Sequence, residues 1–159
     1  MTDSRMLDCV TPRGQAFVVE QRAIAERLAR VRGLDVVHLA SAGAAPIDAL
    51  FHRAQRLCAI GEVKARAMSY AGLVDFGSYL VTFDKLCHGR DLAARLEVEY
   101  VLVVGLLDAV VWWNVSDKRG RWLVEFVTRA TETQATCNGG IAVRMNAYLS
   151  LDRMHCEPD

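Results

Sequence analysis

The chain has 159 residues, about half of them apolar, enough to bury one core and too few for two ordinary domains. Its 19 lysines and arginines balance 19 aspartates and glutamates, so no net positive field draws it to nucleic acid, and any such partner must be held by a local basic face. No apolar run reaches membrane-spanning length, no signal-peptide core opens the chain, and the five cysteines are irregularly spaced, a pattern that predicts a reduced, cytoplasmic protein with no membrane partner.

Residues 13–32 place Phe17, Ile24, Leu28 and Val31 at helical spacing with charged residues between them, which predicts an amphipathic helix. Thr11-Pro12 should cap it and Gly33 should stop it. Residues 34–40, rich in β-branched side chains, predict a strand followed by a loop that ends at Pro46. The extended segments 47–52 and 57–64, joined across 53–56, predict a hairpin. Residues 65–78 carry Gly72 and Gly77 without a firm period and read as a loop or a broken helix. A short strand over 79–81 then leads to Thr82, a cap for a second helix over 83–96 with Leu86, Leu92, Ala93 and Leu96 on one side. Residues 100–106 and 109–115 predict paired strands, 121–128 another, and 141–149 a last one after a turn at Gly139-Gly140. This order predicts an α/β fold, a central mixed β-sheet flanked by helices, as one domain over 1–159 with its core in about 13–130.

The chemistry concentrates in Pro46-Ile47-Asp48, thirteen further residues, and then Glu62-Val63-Lys64. Residues two apart on a strand share a face, so Glu62 and Lys64 point together, and a hairpin that sets Asp48 opposite Glu62 brings two carboxylates and one ammonium to one place. Two carboxylates held close repel unless a cation or proton intervenes. Mg²⁺ (or Mn²⁺) suits such oxygen ligands, and could activate a water and neutralise charge on a phosphate, while Lys64 positions the water or stabilises the charge growing on phosphorus.

The pattern resembles the PD-(D/E)XK nuclease superfamily, with an acid-bearing first helix, a strand and loop before the aspartate, and a helix after the ExK strand. The resemblance runs over about residues 19–115 and implies a restriction-endonuclease-like core and a metal-dependent deoxyribonuclease acting on DNA, often as a homodimer. Carried over by position, it makes Asp48 and Glu62 metal ligands together with the Val63 carbonyl, and Lys64 the motif lysine. It makes Glu20 the first-helix acid and Lys85 the cation at the start of the second helix. Arg66 is positioned to meet a substrate phosphate. The proline stands one residue earlier than the pattern's name implies, so Asp35 and Asp75 are the fallback carboxylates for Asp48.

Each feature also has an ordinary reading. An ExK triplet alone is most often a solvated strand face or a surface ion pair worth at most about 1 kcal/mol. Glu20 sits among Arg22, Glu26 and Arg27 on a charged helix, and Lys85 and Arg66 are equally readable as surface residues. Arg53 and Arg56, with Arg66 and the group at 118–121, could build a phosphate-tracking groove or merely solubilise. Trp112 and Trp113 face opposite ways on a strand, one into the core and the other under a neighbouring element or a partner subunit. The rival to the enzyme is a catalytically inactive nuclease-fold module that binds nucleic acid or assembles with other proteins.

Overall fold

The computed structural model describes residues 12–39, 47–133 and 142–159; Thr11, Pro46 and the Gly139-Gly140 turn lie outside them. The elements in chain order are α1 (Pro12–Arg32), β1 (Asp35–His38), β2 (Ala49–Arg53), β3 (Arg56–Ala65), α2 (Tyr70–Phe76), β4 (Ser78–Thr82), α3 (Phe83–Arg95), β5 (Glu99–Gly105), β6 (Ala109–Ser116), β7 (Phe126–Thr133), β8 (Ala142–Ser150) and β9 (His155–Pro158).

The expected stop of α1 is found. Gly33 takes φ +63°, its N–H donates to the Arg30 carbonyl at 3.2 Å and that of Leu34 to Ala29 at 2.7 Å, a paired closure that requires a left-handed residue. The buried stripe differs from the expected one: Ile24, Ala25, Leu28 and Ala29 are buried, while Phe17 and Val31 are exposed. Small alanines let α1 lie close against β3 and β5, and that rotates the helix away from its two larger apolar residues.

Six strands form one mixed sheet in the order β1-β2-β3-β5-β6-β9. β3 and β5 run parallel and the other neighbours antiparallel. The β2–β3 hairpin turns on Ala54 and Gln55, both at positive φ, so the predicted pairing forms without the Asn-Gly or Asp-Gly signal usual for such turns. Between β3 and β5 the chain builds α2, β4 and α3. Ser69 caps α2 by accepting from the Gly72 N–H at 3.1 Å, and Gly77 ends it at φ +81°, which resolves the loop-or-helix alternative for 65–78. Thr82 precedes α3 as expected, but its side chain makes no capping bond.

A second, three-stranded sheet, β4-β8-β7, was not foreseen. The strand expected at 121–128 starts instead at Phe126, because Trp122 bridges to Ser116 and the Leu123 N–H donates to Val115 at 2.9 Å, which ties that stretch to β6. β9 is short and lacks alternation, so it carries no strand signal. Arg27 anchors it through the carbonyls of Glu157 and Pro158 and the carboxylate of Asp159.

Alternation along the central strands divides the core in two. Val63, Val101 and Val103 pack with Ile24, Leu28 and Phe51 under α1. Ile60, Tyr100 and Leu102 pack on the other face with Leu86 of α3, Trp113, and Leu149 of the second sheet. Gly89 lets α3 approach this face, since a Cβ there would fall 2.2 Å from the Tyr100 ring. Both tryptophans are covered within the chain. Trp113 donates to the Ser150 carbonyl at 3.0 Å, and Trp112 stacks on His155 of β9 at 5.3 Å. Of the two covers expected for the tryptophan outside the core, a neighbouring element or a partner subunit, the chain's own last strand supplies the first at Trp112. Among the described residues no helix is long and apolar enough to cross a membrane.

Candidate metal-binding site

The site is built on β3, whose neighbours on both sides hold it in the sheet. Asp48 stands one residue ahead of β2. Its N–H donates to the Gly61 carbonyl at 2.9 Å and its carbonyl accepts from the Leu39 N–H at 3.1 Å, so its backbone extends the ladder. Because Ala49 pairs with Gly61, Asp48 falls opposite Glu62, as the hairpin reading required. Its Oδ2 accepts from the Val63 N–H at 2.8 Å, which fixes the carboxylate at the edge of the motif.

Glu62 is 1% exposed, and the Lys64 Nζ lies 2.5 Å from its Oε1. The Lys85 Nζ approaches the same oxygen at 4.0 Å from the first turn of α3. Asp48, Glu62 and Lys64 are thus brought together, with Lys85 at their margin. The Lys64 contact lacks hydrogen-bond geometry, and neither Glu62 oxygen has a hydrogen-bond partner among the described residues. A buried carboxylate needs compensating charge, and among the described residues Lys64 and Lys85 supply it.

Two phenols close the space around it. The hydroxyls of Tyr79 and Tyr100 are both buried, and Arg66 lies against Tyr79. Burial pushes the Tyr79 phenol up to about 12; the nearby Arg66 opposes this and the Glu62 carboxylate adds to it. Tyr100 is pushed far above its ordinary value, first by burial and then by the carboxylates of Glu62 and Asp48. The electrostatic influence of both acids on one phenol is a further sign that they share one low-dielectric space.

The first helix contributes a residue the sequence reading missed. Gln21 Nε2 donates to the Val63 carbonyl at 3.0 Å, whereas Glu20 is exposed and makes no ion pair or hydrogen bond among the described residues. Val63 turns both its N–H and its carbonyl toward the β2 side, where Asp48 takes the former and Gln21 the latter. Glu20 is therefore not part of the cluster, because the buried stripe of α1 is rotated relative to the expected one.

The arginines divide. Arg66 follows β3 directly, with its N–H on the Gly105 carbonyl at 2.9 Å and its guanidinium 5.9 Å from the centre of the Tyr79 ring, at the margin of the site. Arg53 and Arg56 are the last residue of β2 and the first of β3. Eight residues of extended strand, on the order of 26 Å, separate Arg56 from Lys64. Arg53 donates to the Arg32 carbonyl at 3.2 Å and shares a surface hollow with Glu97, Glu99, Asp117, Lys118 and Arg121. The expected basic groove is not formed at the site: the hairpin turns away from it, and the basic groups meet acids at the far end of the sheet. Asp35 lies at that end too, paired with His52, and Asp75 is exposed on α2.

Oxygen donors dominate the cluster. Two carboxylates and the neighbouring Val63 backbone carbonyl are oxygen donors of the kind a hard divalent cation prefers, and Lys64 already stands 2.5 Å from Glu62. Among the described residues no group of three or more His, Cys, Asp or Glu side chains is gathered for a metal.

Compared with solved structures, the chain is similar to Hjc, a Holliday junction resolvase from the hyperthermophilic archaeon Archaeoglobus fulgidus. Identity is 15%, 60% of this chain and 75% of that chain are covered, and the TM-score is 0.46. No curated protein sequence matches. A family model described as phage putative PDDEXK endonuclease matches residues 16–138, well over half of the chain, and the chain belongs to that family.

Proposed function

We propose that the protein is a divalent-metal-dependent nuclease that hydrolyses phosphodiester bonds of DNA, with Asp48, Glu62 and the Val63 carbonyl holding the metal and Lys64 assisting. The observation that carries this reading is the convergence, at the start of β2 and on β3, of the Asp48 carboxylate, the fully buried Glu62 carboxylate and the Lys64 ammonium 2.5 Å from Glu62 Oε1. Two carboxylates so placed favour a divalent cation between them.

When bound, Mg²⁺ or Mn²⁺ would lower the pKa of a water and draw charge from a phosphate oxygen. The protein's own groups do the rest. Asp48 is oriented by the Val63 N–H and the Val63 carbonyl by Gln21, so two donors are set before substrate arrives. Lys64, tethered to Glu62 and about one quarter exposed, is placed to orient a water or to steady the negative charge that grows on phosphorus. Lys85 and Arg66 supply cations at the rim, where a substrate phosphate would lie.

DNA as substrate belongs to this proposal and is supported by membership of an endonuclease family; a homodimeric assembly and a cytoplasmic location are proposed with it. The catalytically inactive alternative is disfavoured by the convergence of Asp48, Glu62 and Lys64. Single-stranded, duplex and branched DNA incubated with Mg²⁺ or Mn²⁺ should be cut, cutting should stop with chelator, and Lys64→Ala should abolish it. Salt-dependent binding with no product at any metal concentration would mark a binding module instead.

A further inference from the structure

The second sheet delivers one buried aromatic residue to the margin of the site. Tyr79 lies on β4, paired with Leu149 of β8, and is 3% exposed. Its ring packs on Trp113 of β6 with the centroids 5.4 Å apart and the planes tilted by 30°. Tyr79 is therefore held from one sheet by the strand ladder and from the other by ring packing. Besides burial, the charges that act on its phenol are those of Arg66 and Glu62, which places it within reach of both.

Arg66 follows β3, and its N–H on the Gly105 carbonyl at 2.9 Å continues the ladder in which Ala65 pairs with Gly105. Alternation turns its side chain to the face of Glu62 and Lys64, with its backbone about 7 Å beyond that of Lys64. The guanidinium is fixed on two sides. Nη1 donates to the Ala65 carbonyl at 3.0 Å, and Cζ lies 5.9 Å from the centre of the Tyr79 ring. Arg66 is exposed and joins no ion pair among the described residues. A long side chain without an acid to hold it has many rotamers to lose on binding, and a carbonyl on one side with a ring on the other removes part of that loss in advance.

We propose that Tyr79 is a positioning residue: its ring backs the Arg66 guanidinium so that the remaining N–H groups meet a phosphate of the DNA strand cut at the Glu62 site. The inference rests on the nuclease reading and gives the second sheet a part in substrate binding. Arginine carries five N–H donors in one plane, and Ala65 takes one of them, which leaves a planar edge for phosphate oxygens. The other two cations at the site are engaged, Lys64 at 2.5 Å and Lys85 at 4.0 Å from the same Glu62 oxygen. Among these three, Arg66 is the one with no acid to hold it, and aromatic backing keeps it over the site instead of free in water.

The test is equilibrium binding of a fluorescent duplex of about 20 base pairs in EDTA, together with kcat and KM for its cleavage in Mg²⁺. The proteins are wild type, Arg66→Gln, Arg66→Lys, Tyr79→Phe, Tyr79→Leu and the double variant Arg66→Gln/Tyr79→Leu. Arg66→Gln loses one phosphate contact, so the slope of log K against log salt should fall by about 0.9. Tyr79→Leu keeps the charge and loses the backing: affinity should fall about two- to fivefold, the worth of one exposed cation–π contact, with the slope unchanged and the loss in cleavage carried by KM. Tyr79→Phe keeps the ring and should match wild type, whereas Arg66→Lys should behave as Tyr79→Leu does. In the Arg66→Gln background Tyr79→Leu should change nothing further, which a general loosening of the fold would not give. Should Tyr79→Leu melt too low for these assays, the comparison of Arg66→Lys with wild type decides, since that side chain is exposed. Arg66→Lys at wild-type affinity, or a Tyr79→Leu loss that persists beside Arg66→Gln, overturns the proposal while cleavage by wild type leaves the nuclease reading intact. Duplex bound with the expected coupling but never cut overturns the nuclease reading and leaves the pair as a phosphate-binding element. A wild type that neither binds nor cuts DNA overturns both.

Discussion

Glu62 and Lys64 form one ion pair whose two ends are unequally buried, and removing either end should move stability in opposite directions. The Glu62 side chain is 1% exposed and that of Lys64 27%. Lys64→Ala leaves a buried carboxylate with Lys85, 4.0 Å away, as its nearest cation. Stripping the partner from a fully buried charge costs about 3–5 kcal/mol, and the partial exposure of Lys64 reduces this to roughly 2 kcal/mol. Glu62→Gln keeps the shape, removes the buried charge and lets Lys64 turn to water, a gain of about 1 kcal/mol. At about 2–4 °C per kcal/mol for a chain of this size, in chelator the melting temperature should fall by roughly 4–8 °C in the first variant and rise by roughly 2–4 °C in the second. Mg²⁺ should reverse the ranking of wild type and Glu62→Gln, because about tenfold excess over Kd stabilises wild type by about 1.4 kcal/mol and the variant by much less. Thermal unfolding followed by circular dichroism in EDTA and in Mg²⁺ measures all of this. Both variants shifting the same way in EDTA, or Glu62→Gln gaining as much from Mg²⁺ as wild type, would refute the account of Glu62 as a buried metal ligand paired with Lys64.

Two further outcomes follow from the same geometry. Because the Tyr79 phenol is raised from 10.0 to about 12, the folded state holds that proton more tightly than the unfolded chain. Its contribution is complete below pH 10 and is lost as pH rises toward 12, so wild type should lose about 1.4 kcal/mol relative to Tyr79→Phe by about pH 11; urea unfolding at pH 8 and 11 checks this, and parallel losses in the two proteins would count against it. Gln21→Ala should weaken Mn²⁺ binding about fivefold, the equivalent of one hydrogen bond of about 1 kcal/mol to the Val63 carbonyl. Glu20→Ala should leave it unchanged in titration calorimetry, and equal losses in the two would restore Glu20 to the site.

The contrast between Glu20 and Gln21 shows how far sequence periodicity reaches. The expected stripe of Phe17, Ile24, Leu28 and Val31 is centred so that Glu20 and Gln21 lie about 50° to either side, at 100° per residue. The buried set Ile24, Ala25, Leu28 and Ala29 moves the centre by about 60°, to within about 10° of Gln21 and about 110° from Glu20. Close packing of two alanines against β3 and β5, invisible to a hydrophobicity pattern, decided which residue reaches the Val63 carbonyl. The basic groove failed for a related reason: proximity along the chain put Arg53 and Arg56 near the motif, but an extended strand carries its two ends far apart.

Local pattern by itself determined the motif strand. The apolar context of Cys58-Ala-Ile-Gly-Glu-Val-Lys64 dictates an extended segment, and a two-residue repeat then puts Glu62 and Lys64 on one face wherever that strand lies. The stop of α1 at Gly33 and the mixed sheet with flanking helices were legible on the same grounds, being set by residues close in sequence. Everything that depends on which distant segments meet was decided by tertiary structure: the alignment of Asp48 with Glu62, the phenols of Tyr79 and Tyr100 over the carboxylates, and the cover of β9 on Trp112. These are contacts between residues well over a helical or strand repeat apart in sequence, chosen by how whole elements pack, and no short-range period records them.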